Sequence, residues 1–505
     1  MNKRVFYQNT ALITGCSLLL RLFGILFRIL ISNRIGAEGM GLYQLVISVH
    51  ILGSTFAIGG LVTAVTCMAT QRLSAEDRYG LDRLLRVCLR ISLIVGGISA
   101  LILYGGAPKI GVLIGDVRGT EALALCGVAL PFIGMDATMK GYFLARRRAW
   151  PTCVAQILEQ TTRIGSILWW LSTVWDGSLE QACVILVIGD ALAETVSCLY
   201  LTTAYVRDRK QLAIPSTVRP KKPSKTLRPL LHIALPLTAG RYLTTALRTI
   251  ENVMVPARLS AYTHSNALAL AQFGAVKGMA LPLIFFPSAL LMTVSGLLIP
   301  ELADAHNQNQ QKQVSRLVEI ALRITLLGAI FIGGLFTVTG RTLGQLLYND
   351  STVGVILLIL GPLTPVMYLD SVASGMLKGL GQQVHSLWYA VADSAVRILL
   401  IWFLLPRFGL VGFLFVMLIS NLLTCLLNVG RLLIVSQSAV RWGRWILLPA
   451  ASATVGGILC TCVPLTGIPY LVVGSLVYTG TYGALMVLFR GFTREDWHQL
   501  TTKKA

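Results

Sequence analysis

The chain alternates long apolar blocks with short polar ones, and each block is long enough to cross a bilayer, which takes about 20 helical residues. Fourteen blocks occur, at approximately 10–32, 41–66, 84–106, 120–145, 151–174, 181–205, 229–254, 267–300, 318–339, 351–376, 385–405, 409–430, 444–463 and 467–489. Only helices and closed barrels satisfy their backbone groups in lipid, and blocks of this length predict helices. The fold class is therefore an all-α membrane protein with about 14 transmembrane helices. Several blocks carry proline (Pro131, Pro236, Pro282, Pro287, Pro362, Pro365), which membrane helices tolerate as kinks.

Composition agrees with this pattern. Hydrophobic residues make up 55% of the chain and charged residues only 13%, with a mean hydropathy of +0.71. The formal net charge of +21 would point to nucleic acid in a soluble protein. Here its distribution gives another cause. With the N-terminus placed in the cytoplasm, inner loops hold 26 Lys and Arg, while outer loops hold 6: Arg34, Lys109, Arg118, Arg258, Arg341 and Arg407. That is the positive-inside bias, and one missed helix would invert every later loop and destroy it. Fourteen helices put both termini in the cytoplasm. The opening MNKRVFYQNT has no convincing small-residue cleavage site, so the first block reads as an uncleaved helix.

The chain also repeats itself. Arg83-LLRVCLRISLI recurs as Arg316-LVEIALRITLL, and Arg21 and Arg28 recur as Arg241 and Arg248 at the same spacing. Lys140-Gly141 recurs as Lys378-Gly379, and Glu159 with Arg163 recurs as Asp393 with Arg397. Six helices separate the copies, an even number, so the halves share one orientation. The expected organisation is a six-helix N-lobe (1–205), a basic cytoplasmic linker (206–228) and a six-helix C-lobe (229–435). Two further helices and a cytoplasmic tail (436–505) follow. A substrate path is expected where the two lobes meet.

Charges inside the blocks mark the candidate chemistry, because an intramembrane charge is costly and usually faces protein or water. Arg21 sits near the middle of the first block, and Arg28 follows almost two turns later on the same face, about 10 Å away. Arg21, Arg28, Arg241, Arg248 and Lys277 are the candidate substrate-binding cations, and Glu251 is the acid closest to them in sequence. Clustered arginines suit a pyrophosphate or a carboxylate, which guanidinium binds bidentately. Glu159–Arg163 and Asp393–Arg397 have the i,i+4 spacing of helix-surface ion pairs and are expected to support the bundles. Asp190 and Glu194 are expected to balance nearby arginines.

Other chemistries find no foothold. No Walker motif, HExxH or GxSxG occurs, and no extramembrane segment is long enough for an ATPase domain, so an enzyme is disfavoured. The ten cysteines form no CxxC motif and mostly lie in apolar blocks, and no metal or cofactor is expected.

Three stretches resemble a known family. RLFGILFRILISNRIGAEGMGLY (21–43) resembles the first helix and loop of the oligosaccharide and peptidoglycan flippases. KGYFLARRRAWPTCVAQILEQTTRI (140–164) is similar to the signature of the stage V sporulation protein B family, and FFPSALLMTVSGLLIPELAD (285–304) to the end of that family's eighth helix. The resemblance runs from about residue 5 to 440. It implies the multidrug/oligosaccharidyl-lipid/polysaccharide exporter superfamily, with two lobes and a V-shaped cavity. It also implies an undecaprenyl-pyrophosphate-linked saccharide as substrate, moved from the inner to the outer leaflet by alternating access. In this resemblance Arg21 matches the first-helix arginine of a pyrophosphate-gripping group, and Arg28 falls near a second charged position. Lys277 lies about one turn from an eighth-helix arginine that has no aligned counterpart, and Arg241 matches an arginine of the sporulation branch. The expected partners are a polyprenyl-pyrophosphate glycan, the bilayer and cell-wall synthesis enzymes. Two other readings compete: a cation-coupled multidrug exporter of the same superfamily, and a non-transporting scaffold for cell-wall enzymes.

Overall fold

A computed structural model describes residues 3–211, 227–440 and 443–489. Most of the expected linker, at 212–226, and the tail from 490 lie outside the described residues. The described residues are helical with no strand: α1 (Lys3–Ile58), α2 (Leu61–Ser74), α3 (Arg78–Ile114), α4 (Thr120–Ala145), α5 (Trp150–Thr173), α6 (Leu179–Gln211) and α7 (Leu227–Thr263). Then come α8 (Asn266–Phe273), a π-helical segment (Gly274–Ala280), α9 (Leu281–Asn307), α10 (Gln311–Tyr348), α11 (Ser351–Leu360), α12 (Thr364–Gly379) and α13 (Gln383–Ser436). A second π-turn (Gly443–Leu447) leads into α14 (Leu448–Thr461), and α15 (Gly467–Leu488) follows.

Among the described residues, ten stretches are long and apolar enough to span a membrane. Two of them hold two spans each, the first and second blocks in α1 and the start of α2, and the eleventh and twelfth in α13. The charged helices α5 and α7 complete the fourteen. The chain is thus a multi-pass membrane protein. Each fused pair breaks at one glycine in the left-handed region, Gly36 (φ 72°) in α1 and Gly409 (φ 54°) in α13, where a residue with a Cβ would be strained. Elsewhere, side chains and left-handed residues end the helices. Asp77 caps α3 by accepting from the Gly80 amide at 2.8 Å, Asp350 caps α11 through Thr352 at 2.7 Å, and Asn349 ends α10 in the left-handed region.

The chain forms two compact units, Met1–Ala257 with Ser265–Ala271, and Arg258–His264 with Gln272–Ala505. The first unit therefore takes in most of α7, which the repeat assigned to the second lobe. Its core gathers Met68 of α2, Leu84, Leu85 and Cys88 of α3, Tyr142 and Phe143 of α4, and Leu201 of α6. Helices α3 and α4 approach closely, since a Cβ on Gly96 would come within 2.6 Å of Pro131 Cα. Ion pairs at the ends of these helices strap α6 to its neighbours. Asp208 meets Arg146 (3.2 Å) and Arg148 (2.6 Å), and Asp82 meets Arg86 (3.1 Å) and Arg209 (3.0 Å).

The second unit has a matching core from α9, α10, α12 and α13, including Leu302, Leu322, Met376 and Leu432. The last two helices, outside the repeat, pack on α10. Tyr478 and Tyr482 of α15 bury their rings there and donate to the carbonyls of Phe331 and Leu327, both at 3.0 Å. Such donors suit a membrane interior, where a phenolic hydroxyl needs a protein partner.

Candidate functional site

All four candidate arginines fall in the first unit. Arg21 and Arg28 lie on the first half of α1, Arg21 uncovered by protein and Arg28 half-buried; Arg241 and Arg248 lie on α7, both uncovered. The packing of α7 explains their exposure. Tyr242 stacks on Phe56 at 4.4 Å between ring centroids and donates to the Phe56 carbonyl at 3.2 Å. One face further along, Thr249 donates to the Ser48 carbonyl (3.2 Å) and Asn252 to the Ser48 hydroxyl (3.0 Å). Tyr242 and Thr249 are seven apart, so they share the face that meets α1. Arg241 and Arg248, each one residue earlier, are turned about 100° away onto the open side. Glu251 lies three residues past Arg248 and is buried.

The first unit also holds a line of alternating charge across α4, α5 and α6. Lys140 Nζ meets Asp136 at 2.5 Å and Glu159 at 3.7 Å. Arg163 meets Glu159 at 3.0 Å, Asp190 at 2.7 Å and Glu194 at 3.8 Å. Ser197 donates to Asp136 (2.8 Å), Tyr43 donates to Asp190 (2.9 Å), and Arg163 reaches Gln160 at 3.0 Å. Arg28 lies close enough to Tyr43 to act on it electrostatically, as do Asp190 and Arg163. The expected Glu159–Arg163 pair thus forms, but as the middle of a network of four carboxylates and two cations. Asp190 and Glu194 find their arginine in it. The i,i+4 spacing could show only the pair, because contacts between helices are not written in the spacing along one of them.

The second unit repeats the motif in simpler form. Arg397 meets Asp393 at 2.8 Å, and its Nε donates to Ser420 at 2.9 Å; Ser420 also donates to Asp393. Each arginine therefore reaches from the fifth helix of its repeat to the sixth, Arg163 to Asp190 and Arg397 to Ser420. Asn428 donates to Asp370 at 2.8 Å nearby on α13 and α12. Lys277 lies in this unit, half-buried on the π-helical segment, which the apolar pattern of the eighth block does not mark. A third feature had no sequence signal. An apolar recess of about 920 Å³ runs between α10, α11–α12 and α14, lined by Ile330, Gly333, Val366, Ala453 and Gly457, with Arg341 its single charged lining residue.

These features meet known proteins at several points. Residues 6–306 match the profile of the polysaccharide biosynthesis protein family. Stage V sporulation protein B of Bacillus subtilis (strain 168) is 24% identical over 418 residues, 82% of this chain and 80% of that protein. Among solved structures, the inward closed conformation of the lipid II flippase MurJ superposes with a TM-score of 0.74 at 13% identity, covering 95% of this chain and 99% of that one. An inward-facing multidrug resistance MATE transporter superposes with a TM-score of 0.65 at 15% identity, covering 83% and 96%. The two superpositions show a shared helical fold, over nearly the whole chain for the flippase and over 83% of it for the drug transporter. With more than half of its length matched by the family profile, the chain belongs to the polysaccharide biosynthesis protein family.

Proposed function

We propose that the protein moves an undecaprenyl-pyrophosphate-linked saccharide, a lipid II-like peptidoglycan precursor or a polysaccharide repeat unit, from the inner to the outer leaflet. Arg21, Arg28, Arg241 and Arg248, with Lys277, bind the pyrophosphate, and both termini lie in the cytoplasm. The observation that carries this reading is the exposure of Arg21, Arg241 and Arg248 at membrane depth, uncovered by protein. Guanidiniums left there are stable only against water or an anion, and a diphosphate matches their geometry. The test is surface accessibility of lipid II in cells depleted of their own flippase and supplied with this protein. Exposed lipid II is the expected result, abolished by Arg21→Ala or Arg241→Ala with insertion intact. Absence of exposure with well-inserted protein argues for another polyprenyl-linked glycan, and full activity of both variants removes the arginines from the site.

A second reading has its own observation. Four carboxylates against two cations on α4, α5 and α6 would suit a cationic drug, as a multidrug exporter requires. Resistance to cationic dyes that is lost with Glu194→Gln, and kept with Arg241→Ala, would favour it.

A further inference from the structure

Lys277 stands in one of two π-helical breaks among the described residues, and this break is built into the packing of the second unit. Gly274–Ala280 carries the wider ladder of a π-helix, which is rare and collects at functional positions. Six of its seven residues are buried; Lys277 is the half-exposed one and the single charged residue of the segment. Two prolines follow at 282 and 287, and each deprives an upstream carbonyl of its helical donor.

Two buried tyrosines from other helices supply donors to this irregular backbone. The hydroxyl of Tyr348, at the end of α10, donates to the Met279 carbonyl at 3.2 Å, inside the π-segment. The hydroxyl of Tyr368, on α12, donates to the Ile284 carbonyl just beyond it. Both side chains are almost wholly buried, 5% and 1% exposed, so neither hydroxyl has water to turn to. A relaxation of the segment to an α-ladder would change its register by one residue, turning Lys277 by about 100° against one flank. It would also move the carbonyls away from the two hydroxyls.

We propose that Tyr348 and Tyr368 are positioning residues that hold the π-segment in register and, through it, aim the Lys277 ammonium at the anionic linkage of the substrate. The proposal rests on the reading of Lys277 as a pyrophosphate-binding cation. A single misplaced ångström at such a contact costs up to about 100-fold, and the tyrosines guard against that displacement.

The experiment is a double-mutant cycle on the full chain in nanodiscs, with binding of undecaprenyl pyrophosphate as the readout. Lys277→Gln, Tyr348→Phe with Tyr368→Phe, and all three together are compared with the parent. The expected result is a drop in affinity of about tenfold or more for Lys277→Gln and a comparable drop for the tyrosine pair. In the Lys277→Gln background the tyrosine changes should cost nothing further, since groups acting through one another are not additive. Equal tyrosine losses in both backgrounds, or parent affinity for the tyrosine pair while Lys277→Gln is weak, overturn the positioning role and leave the site reading in place. Parent affinity for Lys277→Gln overturns both. If the paired tyrosine variant does not insert, Tyr348→Phe alone runs the same cycle.

Discussion

Asp77 shows how a single side chain at the helix ends does local work that the apolar pattern does not register. It caps α3 through the Gly80 amide and pairs with Arg72 of α2, so it fixes the turn between them. Partial burial pushes its carboxyl up, but hydrogen bonds from Arg72 and Gly80 outweigh burial and hold it below the usual carboxylate range. A carboxyl with a depressed folded value stabilises above the unfolded value, about 3.9, and the contribution fades as pH falls through the folded value. Thermal unfolding of purified protein should therefore show Asp77→Ala costing about 1 kcal/mol at pH 7, with the difference from the parent shrinking below about pH 4. Asp77→Asn keeps a capping oxygen without a charge and should follow a flatter pH course than the parent. An Asp77→Ala penalty that is the same at pH 3 and pH 7 would remove the ionised form from the cap. At the same scale, the charged positions of the site were legible as residues but not as partners. Arg163 and Glu159 announced themselves by spacing, whereas Lys140, Asp136, Asp190 and Glu194 join them only through the packing of three helices.

Among the elements, length and hydropathy predicted the spans, and the fused pairs show what that pattern leaves out. Helix α1 runs through Gly36 and α13 through Gly409, so the short polar stretches that hold Arg34 and Arg407 stay largely helical and each break falls on one glycine. Gly409 is the more constrained of the two. Its φ is 54°, and an added Cβ would lie 2.5 Å from the Tyr262 ring. Arg258, one turn before Tyr262, lies 3.2 Å from the centre of the Trp402 ring on α13, so this end of α7 is held against the kink on two sides. Gly409→Ala should cost about 1–3 kcal/mol from the backbone conformation alone. The clash with Tyr262 adds to it. Gly15→Ala is the control, a helical position with nothing within 4 Å of the new Cβ, and should be neutral or slightly stabilising. Equal melting temperatures for the two variants would show that the kink needs no glycine. The π-segment was illegible for a related reason, because an extra residue in a helical turn leaves the hydrophobic pattern nearly unchanged over so short a stretch.

For the whole molecule, the reading with the longest reach is orientation, drawn from the sign of the loops and not from any one residue. The native cysteines can test it without new probes. Of the ten, Cys67 and Cys462 are exposed, and the other eight are buried or half-buried. Cys67 lies on α2, just past the inner end of the second span when the N-terminus is cytoplasmic. Cys462 caps the end of α14, where the thirteenth span reaches the outer surface. A membrane-impermeant maleimide on intact cells should therefore label Cys462 and spare Cys67, and permeabilised cells should add Cys67. Cys462→Ala should abolish the first signal and Cys67→Ala the second. The two cysteines stand on opposite sides only if an odd number of spans separates them, and the eleven spans from the third to the thirteenth satisfy that. Labelling of both in intact cells would break the helix count between them, and labelling of Cys67 alone would invert the chain. With the chain inverted, the 26 basic residues of the inner loops would face outward, against the bias that places Lys and Arg in the cytoplasm, and the leaflet from which the arginines receive their substrate would reverse with it.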